Sequence, residues 1–479
     1  MEVGFELRKA LGMQDLLDRM EPASPYGAER VRKPVFFGPS EQETLERTHR
    51  NVAVALQGLG EQRAAYDRLD LLLMQMRDIR GTLQRARETV LTEVELFEIK
   101  RYLLQLSQLV GLYAQIGDEY EGIAFTEETE ALTLLDPGGH RSAGFSIGAA
   151  FTKALADIHA RKHQVEKALR AASGQAEQEA LQAERRQIVV QEEQETLRVR
   201  QRLTEGLAPY IDALMRNTQA IGELDYTVQK AKLARRLQAV MPVIAQGDAY
   251  VEDMDNPPLG DALAQRGASF TRLTMELPAG VTVITGANMG GKSVAIRTLA
   301  LNVLLCQAGF FVCAGAARLP LFDEICVIGG DLEDAQAGLS SFGAEVVHIQ
   351  RVLERIQAGA FCLVAMDEPA RGTNPHEGAA LVGALIGCLS QMQSISVVAT
   401  HYDGVADQAQ AHYQAAGLRD LPEMAGAQDR LAFIARHMNY GLVRVGTDAA
   451  APKEALTVCR LLGLDAEVVA DMEGRLAKA

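Results

Sequence analysis

The chain has 479 residues, enough for two or three domains of about 100–200 residues each, and its 48% apolar content can fill substantial cores. A formal net charge of -15 and a pI near 5.2 exclude a dominant basic footprint for nucleic acid, while a local basic patch stays compatible with them. Trp is absent and aromatics are only 5%, which suits a helix-rich chain.

The first residues, Met1-Glu2-Val3-Gly4-Phe5-Glu6, are acidic and carry no long apolar core, so no secretory signal is expected. Residues 1–147 read as a helical core domain. Leu69, Leu72, Leu73 and Met76 recur at helical spacing, as do Val90, Val94, Phe97 and Leu104. Breakers cluster at Glu21-Pro22-Ala23-Ser24-Pro25 and at Asp136-Pro137-Gly138-Gly139 and mark turns. Residues 148–240 form a charge-rich, almost proline-free tract. Gly174 is its clear breaker before Gly206, and Leu203, Leu207, Ile211 and Leu214 keep a one-sided apolar stripe. The reading is a long helical hairpin, a helix out and a longer helix back, acting as a lever or a reduced clamp.

After Met241-Pro242 the texture changes, and residues 241–479 read as an α/β domain closed by a C-terminal helical segment. Val281–Thr285, Cys362–Met366 and Ile395–Thr400 are apolar without strict alternation, as strands buried on both faces are. They predict a mostly parallel sheet. The fold class is therefore α + α/β. The most apolar stretch, Leu299–Cys313, is broken by Asn302 and Gln307 and falls short of the ~20 residues a membrane span needs. No membrane association and a cytoplasmic location are expected. The six cysteines contain no C-x-x-C pair and read as buried, reduced thiols.

The first of these strands runs into Gly286-Ala287-Asn288-Met289-Gly290-Gly291-Lys292-Ser293, which fits G-x-x-x-x-G-K-S in its strand–loop–helix context. Glycines let backbone N–H groups turn inward around phosphate oxygens, and the following helix presents its free N–H groups to the same anion. ATP is thus expected over residues 286–293, with Lys292 reaching its β- and γ-phosphates and the Ser293 hydroxyl ligating Mg²⁺. The second strand ends in Asp367-Glu368. There Asp367 is expected to hold the metal, and Glu368 to act as the catalytic base that orients the attacking water. The third ends in Thr400-His401-Tyr402, which brings His401 to the same sheet edge as a second catalytic candidate.

These segments resemble the MutS family, a branch of the ABC-type ATPases. Thr285–Ser293 is similar to its phosphate loop, Asp367-Glu368-Pro369-Ala370-Arg371-Gly372-Thr373 to its D-E-x-x-R-G-T element, and Ala399-Thr400-His401-Tyr402 to its A-T-H-Y element. Between them, Gly338-Leu339-Ser340-Ser341-Phe342 with Glu345 resembles G-x-S-[ST]-F-x-x-E. A looser likeness covers Leu224-Asp225-Tyr226 and Ala231–Arg236, similar to the helix leading down to the ATPase domain.

The resemblance implies a P-loop ATPase domain, long lever helices and paired nucleotide sites. Ser340 and Ser341 would contact the nucleotide held by a second subunit, in a homodimer or in a heterodimer with a related chain. The string Phe125-Thr126-Glu127 matches the family's Phe-x-Glu mismatch wedge but lies in the wrong region and is taken as chance. Val294 replaces the usual Thr, and Asn374-Pro375 replaces small hydroxyl residues. Two partners fit. Short MutS-like ATPases of this kind accompany cobalamin-dependent aminomutases such as lysine aminomutase and reactivate them. The family's usual partner is DNA. A mismatch-reading domain is not expected in this sequence, and that expectation and the acidic charge lean toward the first.

Overall fold

The computed structural model describes residues 1, 3–116, 120–142, 144–286, 290–329, 341–418, 438–450 and 455–476. It divides into two compact units. One comprises residues 21–33 and 54–229; the other comprises residues 1–20, 34–53 and 230–479.

The first unit is helical. Its helix α1 (Glu93–Ile116) starts with a reciprocal cap: Thr92 N donates to the Glu95 carboxylate at 2.8 Å, and Glu95 N donates to Thr92 Oγ1 at 3.3 Å. It buries Leu96, Ile99, Leu103 and Leu106. The stripe read from Val90, Val94, Phe97 and Leu104 correctly signals a helix but not its buried face. Val90 precedes α1, and Val94 is 67% exposed. Both stripes have helical spacing, so only the neighbours decide which is covered. Leu69, Leu72, Leu73 and Met76 are all buried.

Helices α2 (Lys153–Ala171) and α3 (Gln175–Leu207) are joined through Gly174, the N-cap of α3. They run antiparallel, since Thr152 at the start of α2 bonds Glu195 at 3.3 Å, while Arg161 and Glu166 further along α2 pair with the earlier Glu184 at 2.8 Å and Arg185 at 3.3 Å. The pair buries few apolar side chains, among them Leu155, Val165, Ile188 and Val199. Exposed ion pairs of this kind add only ~0–1 kcal/mol each. Helix α4 (Ile211–Leu237) follows, and the stripe Leu203, Leu207, Ile211, Leu214 is buried. Phe125 packs edge-on against Tyr113 at 4.9 Å, and the Thr126 amide and carbonyl both bond the Asn217 side chain. The Phe-x-Glu string is thus part of this unit's packing.

The second unit carries two sheets. The smaller has the order β1 (Val243–Ala245), β5 (Ala316–Pro320), β2 (Ala249–Met254), β3 (Leu273–Leu277) and is mixed. The larger has the order β10 (Met438–Val445), β9 (Ala411–Leu418), β4 (Gly280–Thr285), β8 (Ile395–Thr400), β7 (Cys362–Asp367), β6 (Glu324–Ile328). Its pairings are parallel except β9 with β10, the mostly parallel sheet expected from the unalternating apolar runs.

Helix α5 (Lys292–Gln307) packs on β7 and β8 and also touches β2 of the smaller sheet. Covered from both sides, it is buried almost all round, as its lack of a polar face requires. Helices α6 (Ser341–Gln357) and α7 (Pro375–Leu389) cover the larger sheet through Ile349, Val352, Ile356, Val382, Ile386 and Leu389. The departure Asn374-Pro375 caps α7. Asn374 accepts from His376 N at 2.9 Å, and Pro375 occupies the first turn, where its missing N–H costs nothing. The chain closes with α8 (Ala455–Leu462) and α9 (Ala466–Leu476).

Cys306, Cys313, Cys326 and Cys362 are buried free thiols. Cys388 is exposed on α7 and Cys459 is half-buried on α8, so the expectation of six buried thiols fails for these two. Both sit on helices with an outward face, which an apolar sequence neighbourhood does not reveal. Among the described residues no helix is long and apolar enough to cross a membrane.

Candidate nucleotide site

Parallel pairing sends the C-terminal ends of β4, β7 and β8 to one edge. β8 lies between the other two, with Thr285 opposite Thr400 and Asp367 opposite Ala399. The segments following these three strands therefore emerge side by side, where ligands bind in open parallel sheets.

After β4 the chain turns at Gly286 (φ 139°), and Gly291 (φ 85°) is the N-cap of α5. Both conformations favour glycine, and both positions are also tightly approached. A Cβ at Gly286 would lie 2.8 Å from Ala415 Cβ, and one at Gly291 would lie 3.2 Å from the Tyr440 ring. Ala287, Asn288 and Met289 lie outside the described residues. Lys292 is 3% exposed, and its Nζ donates to Gly286 O at 2.8 Å. The same ammonium is 3.5 Å from Glu368 Oε1. Burial pushes the Lys292 ammonium below the ordinary lysine value, against the opposing pull of Glu368 and Asp367.

Ser293, the second residue of α5, donates through Oγ to Asp367 Oδ1 at 2.8 Å. The hydroxyl and carboxylate read as metal ligands thus meet from two separate elements. They are hard oxygen donors, and Mg²⁺ sites typically combine one or two protein oxygens with phosphate and water. The donor chemistry fits that ion.

Glu368 follows with φ 51° and Ala370 with φ 63°, both left-handed without being glycine. Glu368 N donates to Ala399 O at 2.9 Å, tying the turn to β8. Ala370 N donates to Glu345 Oε1 of α6 at 2.9 Å. Arg371 stands 3.8 Å from Glu368. His401 lies just beyond β8, exposed, its ring tilted against Tyr402 at a centroid distance of 4.5 Å. It shares the edge with Lys292, Ser293, Asp367 and Glu368. Ser340 lies outside the described residues, and Ser341 is known only as the first residue of α6.

Three contributors escaped the sequence reading. Gly329 (φ 96°) follows β6, and a Cβ there would stand 2.2 Å from Asp367 O. The pair Gly329-Gly330 after an apolar strand was a readable signal. Tyr440 reaches Gly291 from β10, and no local pattern announces it. His412, 1% exposed, contacts Thr285 Oγ1 through Nε2 at 2.7 Å and Gly446 O through Nδ1 at 2.9 Å. A carbonyl only accepts, so Nδ1 donates to Gly446 O.

Residues 282–476 match the family model described as MutS domain V. The chain is 32% identical over 219 residues to a protein named Endonuclease MutS2 from Ligilactobacillus salivarius, which covers 45% of this chain and 27% of that protein. It is 35% identical over 227 residues to the Endonuclease MutS2 of Thermomicrobium roseum, covering 45% of this chain and 28% of that one. The corresponding protein of Symbiobacterium thermophilum matches at 32% over 222 residues. The chain thus spans little more than a quarter of the length of these relatives. The likeness to MutS domain V and to these relatives falls on part of the chain, and residues 282–476 contain Lys292, Ser293, Asp367, Glu368 and His401.

Proposed function

We propose that a MutS domain V in the C-terminal half makes this chain an Mg²⁺-dependent ATP hydrolase whose nucleotide cycle drives the engagement of a partner. The observation that carries this reading is the convergence of Lys292, Ser293, Asp367 and Glu368 at one sheet edge within the matched region.

The backbone amides of 286–293 and the Lys292 ammonium would hold the triphosphate. Binding would replace the internal partners of Lys292, Gly286 O and Glu368, with phosphate oxygens. Mg²⁺, held by Ser293 and Asp367, would supply charge neutralisation of the phosphates. Glu368, released from Lys292, would orient water for attack, with His401 beside the same edge as the second candidate. Through Ser340 and Ser341 a second subunit would complete each site, so that ATP clamps two domains and hydrolysis frees them. The α2–α3 pair and α4 would then act as levers.

Two readings of the partner each have support. The relatives carry the name Endonuclease MutS2, and the word endonuclease favours a nucleic-acid partner, DNA, for this chain. The net charge of -15 favours a protein partner, for which a cobalamin-dependent aminomutase remains the proposal on resemblance. A cytoplasmic location suits either.

Titration of the full chain with Mg·ATP, alongside Glu368→Gln, tests the reading. Glu368→Gln is expected to keep ATP affinity while hydrolysis slows by at least ~10². No affinity for Mg·ATP in an intact protein, or wild-type turnover in Glu368→Gln, overturns it.

A further inference from the structure

Two non-glycine residues in left-handed conformation, Glu368 and Ala370, stand in the segment that carries the proposed base. Each is a strained conformation for a residue with a Cβ and persists only where the surroundings hold it. One hold comes from β8, whose Ala399 O accepts from Glu368 N at 2.9 Å. The other comes from α6, whose Glu345 accepts from Ala370 N at 2.9 Å. Ala370 is 1% exposed and Glu345 6%, so water is a poor substitute for this bond. Phe342, one turn earlier on α6, packs against the sheet core and fixes the helix at that level.

We propose that Glu345 is a positioning residue for ATP hydrolysis: its buried carboxylate holds the Ala370 amide and so fixes the turn that aims Glu368. The inference rests on the ATPase reading above. The needed chemistry is an acceptor at that point, so an amide oxygen serves as well as a carboxylate. A base displaced by even 1 Å loses much of its rate, whereas phosphate binding through 286–293 does not depend on this turn.

The test uses the full chain with Glu345→Ala and Glu345→Gln, measuring Mg·ATP affinity and single-turnover hydrolysis separately. Glu345→Ala is expected to lose about 10–100-fold in rate, the scale of a small misplacement. Its ATP affinity should stay within about twofold, the signature of an interaction that matters only in the transition state. Glu345→Gln, whose side-chain oxygen still accepts from Ala370 N, should keep most of the rate.

Three outcomes overturn the proposal: a wild-type rate in Glu345→Ala, a parallel fall of rate and affinity, or Glu345→Gln as slow as Glu345→Ala. If the alanine variant does not fold, Glu345→Asp, too short to reach the amide, replaces it in the comparison with Gln. Failure of the ATPase reading looks different, because then the wild-type chain binds no ATP. Failure of this inference alone leaves the wild type active and Glu368→Gln inactive.

Discussion

Gly329, just past β6, meets Asp367, the last residue of β7, and the space between them leaves no room for a methyl group. A Cβ at Gly329 would lie 2.2 Å from Asp367 O, and its φ of 96° disfavours any other residue. Gly329→Ala is therefore expected to cost about 1–3 kcal/mol through backbone strain, before relief of the collision is counted. The relief must move the strand tip that places Asp367 on Ser293, so hydrolysis should fall by about 10² as well. Urea unfolding and steady-state turnover measure the two effects; an alanine variant with wild-type stability contradicts this account. At the same scale, the buried Lys292 has two uses for one charge. It pairs with Glu368 and Gly286 O within the chain, and both are partners that a phosphate can displace.

At the level of elements, buried polar pairs fix loops that apolar packing alone leaves loose. Lys100 of α1 reaches Asp136 at 3.1 Å and Gly144 O at 3.1 Å, and Asp136 also accepts from Arg141 N at 2.7 Å. Burial pushes the Asp136 carboxyl upward, but the Arg141 amide and Lys100 outweigh it and hold it below the ordinary aspartate range. A folded value below the unfolded one means the stabilisation is complete above about pH 4, the unfolded value, and fades as pH falls further. Asp136→Asn strands the Lys100 charge and should cost about 3 kcal/mol near neutrality. The gap between variant and wild type should narrow below about pH 4. Chemical denaturation at several pH values checks this, and a gap that is constant across pH contradicts it. Asp225 plays a comparable part. It is 0% exposed and accepts from Ala23 N, Ser24 N and Ser24 Oγ, closing the turn before the helix Pro25–Arg32. The C-terminal end of α5 is held likewise. Lys230 Nζ donates to Ala308 O at 2.9 Å, a cation where the helix dipole favours one, and the Gln307 amide group bonds Phe37 O and Phe322 O.

For the whole molecule, the partner is the open question that experiment can close. The Glu368→Gln protein with Mg·ATP should double in mass by light scattering if ATP clamps two subunits. The same trapped protein, titrated with duplex DNA, separates the two proposed partners. A DNA-directed chain should bind at low salt and lose about 10³ or more in affinity between roughly 50 and 200 mM, as contacts to several phosphates do. No binding at low salt removes DNA and leaves the protein partner, which a pull-down with the trapped form would identify.

Residue order alone determined the local features. Three short apolar runs without alternation, rich in β-branched residues or bounded by turn signals, read as strands covered on both faces, and their end residues carried the phosphate loop, the carboxylate pair and the histidine. Gly286, Gly290 and Gly291 mark a turn that few other sequences make, because backbone sterics act within a few residues. What needed the tertiary structure was everything set by distant neighbours. β8 lies between β4 and β7, α1 buries Leu96 rather than Val94, and Glu345 meets Ala370. Tyr440 reaches Gly291 across 149 positions of sequence. Such contacts depend on how sheets and helices stack, and the periodicity of one segment carries no information about which segment will cover it.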